Sequence, residues 1–344
     1  MSLPKVLIAG NILWTKKEFQ ELQSSSIATL VTPDVSSRSA FLKDLEANQD
    51  ASVIVYTNGA KFGGFDRELF TKLPKSVKFI CSHGAGYDSI DVEAATEHVA
   101  VLTDSWSAHE AALGVSVSHT PSAVDHGTAT TALYLLLGAF RQYAHGEINA
   151  RKGLWLKDFP LAHDPEGKTL GIVGMGGIGK ALARRVLPLG MKILYHNRRE
   201  ITPAPDFPCE YVANLDDLLA RSDAVSLHMP LNENTRNGFG AAQFAKMKDG
   251  SVLINTARGG VVDQEALIQA LDSGKLYSAG LDVFPNEPEI DQRLRDNVKI
   301  SILPHVGTHT LESRYGMEML VLKNVKTALE SGSLVTQVPE QRAK

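Results

Sequence analysis

The chain has little of several things, and each shortage narrows its function. Only two cysteines, Cys81 and Cys209, occur in 344 residues. That is too few for a disulfide framework or a four-thiolate zinc site, and no metal site is expected. Cys81 ends an apolar run and reads as a core thiol rather than a nucleophile. No run of about 18 apolar residues occurs, so no membrane-spanning helix is expected. Neither sign of charge dominates: 35 Lys and Arg face 39 Asp and Glu, for a net charge of -4 and a pI near 6.3. No basic excess points to nucleic acid or an anionic membrane. There is no internal repeat and no long low-complexity tract. The opening MSLPKVLIAG carries an apolar run too short for a secretory signal and reads as a first strand. The closing EQRAK does not match the peroxisomal tripeptide, so the expected location is the cytoplasm.

What is present is ordinary for a soluble globular protein, with 43% apolar and 22% charged residues. The length suggests two domains. Short apolar runs alternate with helical patterns. KVLIAG (5–10), ASVIVYT (51–57) and VKFICSHGAG (77–86) read as buried parallel strands. Between and after them lie amphipathic stretches at 15–23, 37–49 and 65–73. A long helix is expected through 128–153, with apolar positions suited to burial between domains. Strands then recur at 192–197, 224–230, 251–257, 277–284 and 300–305, with helices at 214–222 and 263–275. A terminal helix over about 311–331, carrying Leu311, Met319, Leu320 and Val325, is expected to return to the first domain. Alternating strands and helices predict an α/β protein of two Rossmann/flavodoxin-like, doubly wound parallel-sheet domains with an interdomain cleft. The substrate domain is expected at 1–124 and 310–344, around a dinucleotide-binding domain at 125–309. The polar stretch 102–118 fits poorly and reads as a surface loop or short helix after a strand-like VAVLT.

Gly174, Gly176 and Gly179 form G-x-G-x-x-G, with the strand-like Leu170–Val173 before and a helical Ala181–Leu187 after. In that context the first glycine permits a tight turn, the second lets backbone approach a pyrophosphate, and the third lets helix and strand pack closely. Helix N-terminal amides then favour the phosphates. An acid normally follows about 20 residues on, to hold the adenosine ribose. Here His196 stands 22 positions after Gly174, followed by Asn197, Arg198 and Arg199. A carboxylate would repel a 2′-phosphate, whereas these residues supply donors and charge. NADPH is expected over NADH.

Three strand-end segments of the second half carry catalytic chemistry. Arg258 lies in NTARGG, Glu287 in LDVFPNEP, and His305 ends ISILPH. Ligands of open doubly wound sheets bind outside the carboxyl ends of the strands, so all three point to the crevice of the glycine turn. Arg258 can grip a carboxylate or polarise a ketone oxygen. Hydride arrival at a keto carbon makes an alkoxide, which His305 can protonate near neutral pH. Glu287 stabilises the imidazolium and orients the ring.

NTARGGVVD, SAGLDVFPNEP, LPHVGTHT, GMGGIG, SLHMPLNENT and HGAGYDSIDV resemble the signatures of the D-isomer-specific 2-hydroxyacid dehydrogenases over nearly the whole chain. Within that family, HGAGYD, YHNRR and LPHVGTH look most like fungal glyoxylate/hydroxypyruvate reductases, with fungal D-mandelate dehydrogenases nearby. The resemblance implies the same roles for Arg258, Glu287 and His305. It also implies that amides of Gly84, Ala85 and Gly86 bind the substrate carboxylate. Gly176, Gly177 and Ile178 would meet the pyrophosphate, and His228 and Pro230 the adenosine. Thr256 and Ala257 would lie near the nicotinamide ribose, and Asp282 at the carboxamide. A homodimer through helices of the cofactor domain is implied. Tyr56 reads equally as pocket lining or packing. The chain departs from the family pattern at about 16 extra residues, 101–116, which read either as a genuine loop or as translated intron.

The leading expectation is therefore reduction of a small 2-keto acid, glyoxylate or hydroxypyruvate first, with NADPH preferred and NADH tolerated. One alternative is a D-mandelate-type dehydrogenase for bulky aromatic keto acids. Another, from a different class, is an NAD(H)-binding corepressor-like scaffold.

Overall fold

The computed structural model describes residues 2–57, 60–98 and 114–342. The chain divides into two compact units, Met1–Val124 with Thr310–Lys344, and Asp125–His309. Each is built on a wholly parallel sheet with helices on both faces. Burial on both faces is why the strands read as continuous apolar runs rather than alternating ones.

The first unit holds β1 (Lys5–Ala9), β2 (Thr29–Val31), β3 (Ala51–Tyr56), β4 (Phe79–Ser82) and β5 (Ser116–Ser118), in the order β2-β1-β3-β4-β5. One face packs on Phe41, Phe62, Phe65 and Leu69, and the other on Phe19, Leu22, Val321 and Val325. Tyr56 joins the aromatic group, edge-on to Phe65 at 5.1 Å, so its ring is engaged in packing. The edge strand at Ser116–Ser118 corrects the sequence reading, which placed 102–118 in a surface loop or short helix. Val115 and Val117 are buried, and Val117 is in register with Ile80. The serines on either side of Val117 disguise the pattern. The VAVLT segment, and the inserted stretch up to residue 113, lie outside the described residues. The free edge of β5 is covered by the C-terminal segment. Val338 N–H donates to the Val117 carbonyl, and Val117 N–H donates to Gln341 Oε1 at 2.7 Å. A side-chain amide thus finishes an edge that would otherwise expose backbone groups.

The terminal helix, Leu311–Ser331, belongs to this first unit. Of the apolar residues it carries, Val325 is buried, whereas Leu311 is 73% exposed. Glu318 is buried instead, 1% exposed. Its Oε1 accepts from Leu13 N–H at 2.9 Å. Its Oε2 accepts from the N–H groups of Trp14 and Thr15 and from Thr15 Oγ1, at 2.8–2.9 Å. One carboxylate therefore ties the loop after β1 to the helix.

The second unit holds β6 (Thr169–Val173), β7 (Lys192–His196), β8 (Glu210–Tyr211), β9 (Ala224–Leu227), β10 (Ser251–Asn255), β11 (Leu276–Leu281) and β12 (Ile300–Ile302). Their order is β12-β11-β10-β9-β6-β7-β8, so the winding reverses between β6 and β9. Such a reversal opens a crevice beyond the carboxyl ends of the two strands. β8, two residues long, was not anticipated. The single long helix expected over 128–153 is two helices, Asp125–Arg141 and Tyr143–Arg151. Gln142 breaks it in the left-handed region, φ 55°, with its side-chain amide donating to the Ala139 carbonyl at 3.0 Å. Among the described residues no helix is long and apolar enough to cross a membrane.

Glu318→Ala leaves four donors of the loop without their acceptor. It should lower unfolding free energy by about 3 kcal/mol, with Glu318→Gln intermediate, as read by urea denaturation. Equal stability of Glu318→Ala and the parent would show that the carboxylate does not carry the loop.

Candidate active site

The glycine turn sits at the reversal point of the second sheet. Gly174 has φ +101°, and a Cβ there would lie 2.8 Å from the His228 carbonyl carbon at the end of β9. Only glycine allows this turn and this approach together. At Gly176, the N-cap of helix Gly177–Val186, a Cβ would meet nothing within 4 Å, so there is space for a ligand beside the backbone, although the Gly176 N–H itself donates to the Gly174 carbonyl at 2.9 Å. At Gly179 a Cβ would fall 2.6 Å from the Gly174 carbonyl oxygen, so this glycine lets the helix close on the strand. Gly177 has Asp125 Oδ2 where a Cβ would stand, 2.0 Å away. Ile178 is packed against the core beneath.

The end of β7 divides the basic segment into two kinds of residue. His196 Nδ1 donates to the Val212 carbonyl at 3.0 Å, and Asn197 Oδ1 accepts from Met175 N–H at 2.8 Å. These two side chains brace the turn. Arg198 and Arg199 are exposed, and neither makes an ion pair among the described residues. No acid takes the position at which a ribose hydroxyl is ordinarily held.

Two polar atoms beside the crevice are buried without partners among the described residues: His228 Nδ1 and Thr256 Oγ1. The other nitrogen of His228 lies 2.9 Å from Ser226 Oγ. Burial holds the ring well below its ordinary value, to about 4, so it is neutral at neutral pH. Pro230 is exposed, and its carbonyl accepts from Thr235 Oγ1 at 2.7 Å. Open space beside Gly176 together with buried, unsatisfied polar atoms suits a dinucleotide that would complete them.

The structure brings Arg258, Glu287 and His305 to one end of the sheet. Arg258 follows β10 in a turn braced by Asn255, whose amide donates to the Arg258 carbonyl and whose oxygen accepts from Ala257 N–H. Arg258 Nη1 donates to the Ala257 carbonyl at 2.8 Å. The next residue, Gly259, went unremarked in the sequence. A Cβ there would lie 1.9 Å from the Phe284 carbonyl carbon, so only glycine lets the Arg258 turn pack on the Phe284–Glu287 turn. The doubled glycine of NTARGG was the available signal.

His305 Nδ1 donates to Glu287 Oε2 at 2.7 Å, and Glu287 Oε1 accepts from Phe284 N–H at 2.9 Å. Burial pushes the Glu287 carboxyl up. The His305 hydrogen bond, the Phe284 amide and the charges of His305 and Arg258 outweigh it and hold the carboxyl below its usual range. His305 itself has φ 55°, unusual for a residue with a Cβ. Asp282 supports that conformation. Its carbonyl takes His305 N–H, and its two carboxylate oxygens take Val306 and Gly307 N–H at 2.8 and 2.9 Å. Burial pushes the Asp282 carboxyl up, partly offset by those amides. Shaping the His305 turn is a role that the motif comparison does not supply.

In the first unit, Gly84 has φ +133°. Its N–H donates to Thr120 Oγ1 at 2.8 Å, so this amide is already occupied. The N–H groups of Ala85 and Gly86 donate to no described residue. Of the three amides named for a carboxylate, two are open.

A lowered carboxyl pKa stabilises the fold fully above the ordinary glutamate value of 4.5, and the gain is lost as pH falls through the lowered value. The stability difference between the parent and Glu287→Gln, followed by urea unfolding, should therefore not shrink until pH drops below about 4.5. Shrinkage already at about pH 6 would contradict the depressed carboxyl.

Comparison with known proteins accords with this geometry. Residues 133–307 match the D-isomer specific 2-hydroxyacid dehydrogenase NAD binding domain, and residues 6–112 match the catalytic domain of the same family. The chain is 45% identical over 345 residues to 4-methyl-2-oxopentanoate reductase A of Aspergillus oryzae, covering 99% of both. A crystal structure of a glyoxylate reductase from Paecilomyes thermophila superposes with TM-score 0.91 at 45% identity, covering 99% of this chain and 100% of that one. An NADPH-dependent glyoxylate/hydroxypyruvate reductase from Sinorhizobium meliloti, solved with NADP and malonate, gives TM-score 0.82 at 29% identity over the full length of both. The chain belongs to the D-isomer specific 2-hydroxyacid dehydrogenase family and is an oxidoreductase acting on CH–OH groups with a nicotinamide cofactor.

Proposed function

We propose that this protein is a cytosolic, NADPH-preferring reductase of glyoxylate and hydroxypyruvate. The observation that carries the catalytic part is the 2.7 Å hydrogen bond between His305 Nδ1 and Glu287 Oε2, beside the Arg258 turn. When bound, the reduced nicotinamide supplies the hydride. Arg258 binds the keto acid and polarises its ketone oxygen. Glu287 holds Nδ1–H, which leaves Nε2 of His305 as the ring atom that delivers a proton to the alkoxide. The open amides of Ala85 and Gly86 take the substrate carboxylate. Gly176, Gly177 and Ile178 serve the pyrophosphate, His228 and Pro230 the adenosine, and Thr256, Ala257 and Asp282 the nicotinamide end. His305→Gln should lower kcat by about a hundredfold or more while NADPH still binds. Turnover at the parental rate would remove His305 from the mechanism.

The cofactor preference rests on Arg198 and Arg199, exposed and without ion pairs among the described residues, just after His196 at the position where an acid is usual. In the double variant Arg198→Ala, Arg199→Ala, NADPH affinity should fall by about a hundredfold with NADH affinity little changed. Equal losses for both dinucleotides would refute the assignment.

A second substrate reading is a branched aliphatic keto acid, favoured by the 45% identity to the Aspergillus 4-methyl-2-oxopentanoate reductase. Initial rates for glyoxylate, hydroxypyruvate, 4-methyl-2-oxopentanoate and phenylglyoxylate, each with NADPH and NADH, separate these readings. A homodimer is part of the proposal. Trp155, 80% exposed, and Leu161, 96% exposed, stand close in sequence after helix Tyr143–Arg151, an apolar surface that a second copy would cover.

A further inference from the structure

The two open amides near the end of β4 are aimed by residues outside the loop that carries them. A peptide unit is planar and trans, so its C=O and N–H point in opposite directions. The Gly84 carbonyl accepts from Thr120 N–H at 2.8 Å, and the same peptide plane carries Ala85 N–H. The Ala85 carbonyl accepts from His119 Nδ1 at 2.9 Å, and that plane carries Gly86 N–H. Both carbonyls are thus held towards His119 and Thr120, and both amides are turned the opposite way. A carbonyl can only accept, so Nδ1 carries the imidazole proton. The ring is 8% exposed. Burial, more than any other influence, holds its pKa below the ordinary histidine value, so it stays neutral at neutral pH.

The segment bearing His119 is itself braced by the C-terminal stretch. His119 N–H donates to the Thr336 carbonyl at 3.1 Å, and Thr336 Oγ1 donates back to the His119 carbonyl at 2.6 Å. Asn324, on the terminal helix, grips Thr336 twice, through its oxygen at 3.0 Å and its amide at 2.8 Å. Tyr87 meets the His119 ring edge-on at 5.2 Å, and its hydroxyl donates to Glu340 Oε2 at 2.8 Å. The brace spans more than two hundred positions of sequence and closes on one loop.

We propose that His119 is a positioning residue for the substrate carboxylate: through the Ala85 carbonyl it aims the Gly86 amide, and residues 336–340 with Tyr87 hold His119 in place. This rests on the reading that Ala85 and Gly86 bind the carboxylate of a keto acid. A neutral donor fixed by burial aims the amides without placing a second charge beside the anion.

The test compares His119→Leu, His119→Asn and Tyr87→Phe by keto acid KM, kcat, NADPH dissociation constant and thermal midpoint. His119→Leu should raise KM about tenfold, with kcat and the NADPH constant changed by less than about twofold. His119→Asn, whose amide nitrogen takes the place of Nδ1, should restore most of the loss. Tyr87→Phe should raise KM in the same direction by less. A parental KM in folded His119→Leu overturns the proposal. So does failure of His119→Asn to improve on it, or a loss of NADPH binding that matches the rise in KM. If His119→Leu does not fold, Tyr87→Phe decides: a raised KM with unchanged NADPH binding supports the brace, and an unchanged KM overturns it. A parent protein that reduces no keto acid refutes the function proposed above instead, so the two failures are distinct.

Discussion

One buried carboxylate governs the chemical end of the second unit. Asp282 closes the connection between β11 and the turn after β12 by accepting two successive amides, Val306 and Gly307, while its carbonyl takes His305 N–H. A residue with a Cβ in the left-handed region costs about 1 kcal/mol or more. Three hydrogen bonds to one residue offset that cost and fix where the imidazole leaves the backbone. Glu287 arrives from the same side of the sheet, its own orientation set by the Phe284 amide. The geometry of the His305–Glu287 pair is therefore a consequence of how the end of β11 is tied, and Gly259 lets the Arg258 turn join it without a clash.

The two units solve one problem in different ways. Each leaves some backbone groups open beyond a strand end while pairing the others inside. In the second unit the glycine turn exposes backbone at Gly176, while Asn197 and His196 hold the neighbouring chain and Arg198 and Arg199 remain exposed. In the first unit the carbonyls of Gly84 and Ala85 are paired inward, which leaves the amides of Ala85 and Gly86 as donors. His228 and His119 are held neutral by burial. The positive groups that remain are the guanidinium groups of Arg198, Arg199 and Arg258.

Much of this was legible in the residues. The G-x-G-x-x-G spacing identifies the turn because each glycine answers a different steric demand, and those demands reappear as close Cβ approaches at Gly174 and Gly179. Continuous apolar runs announce strands buried on both faces. Short elements escaped for the same physical reason. β5 and β8 are three and two residues long, too short for a period to show, and their pairing is supplied by neighbours distant in sequence. The break at Gln142 carries no glycine or proline to mark it. Nothing in the sequence of the terminal helix marks Glu318 as the residue turned inward, because the four donors that hold its carboxylate come from the loop after β1.

What the sequence determined by itself is whatever depends on local sterics and chemical type: parallel strands, the glycine turn, the absence of an acid after β7, and the presence of an arginine, a glutamate and a histidine at strand ends. What only the tertiary structure decided is which donors and acceptors are already taken. Gly84, Ala85 and Gly86 look equivalent in a row of letters, but Thr120 occupies the first amide and the other two donate to no described residue. Asp282 likewise looks like a free carboxylate, although it is committed to the turn that presents His305. Hydrogen bonding saturates, and a partner far along the chain leaves no trace at the position whose capacity it uses.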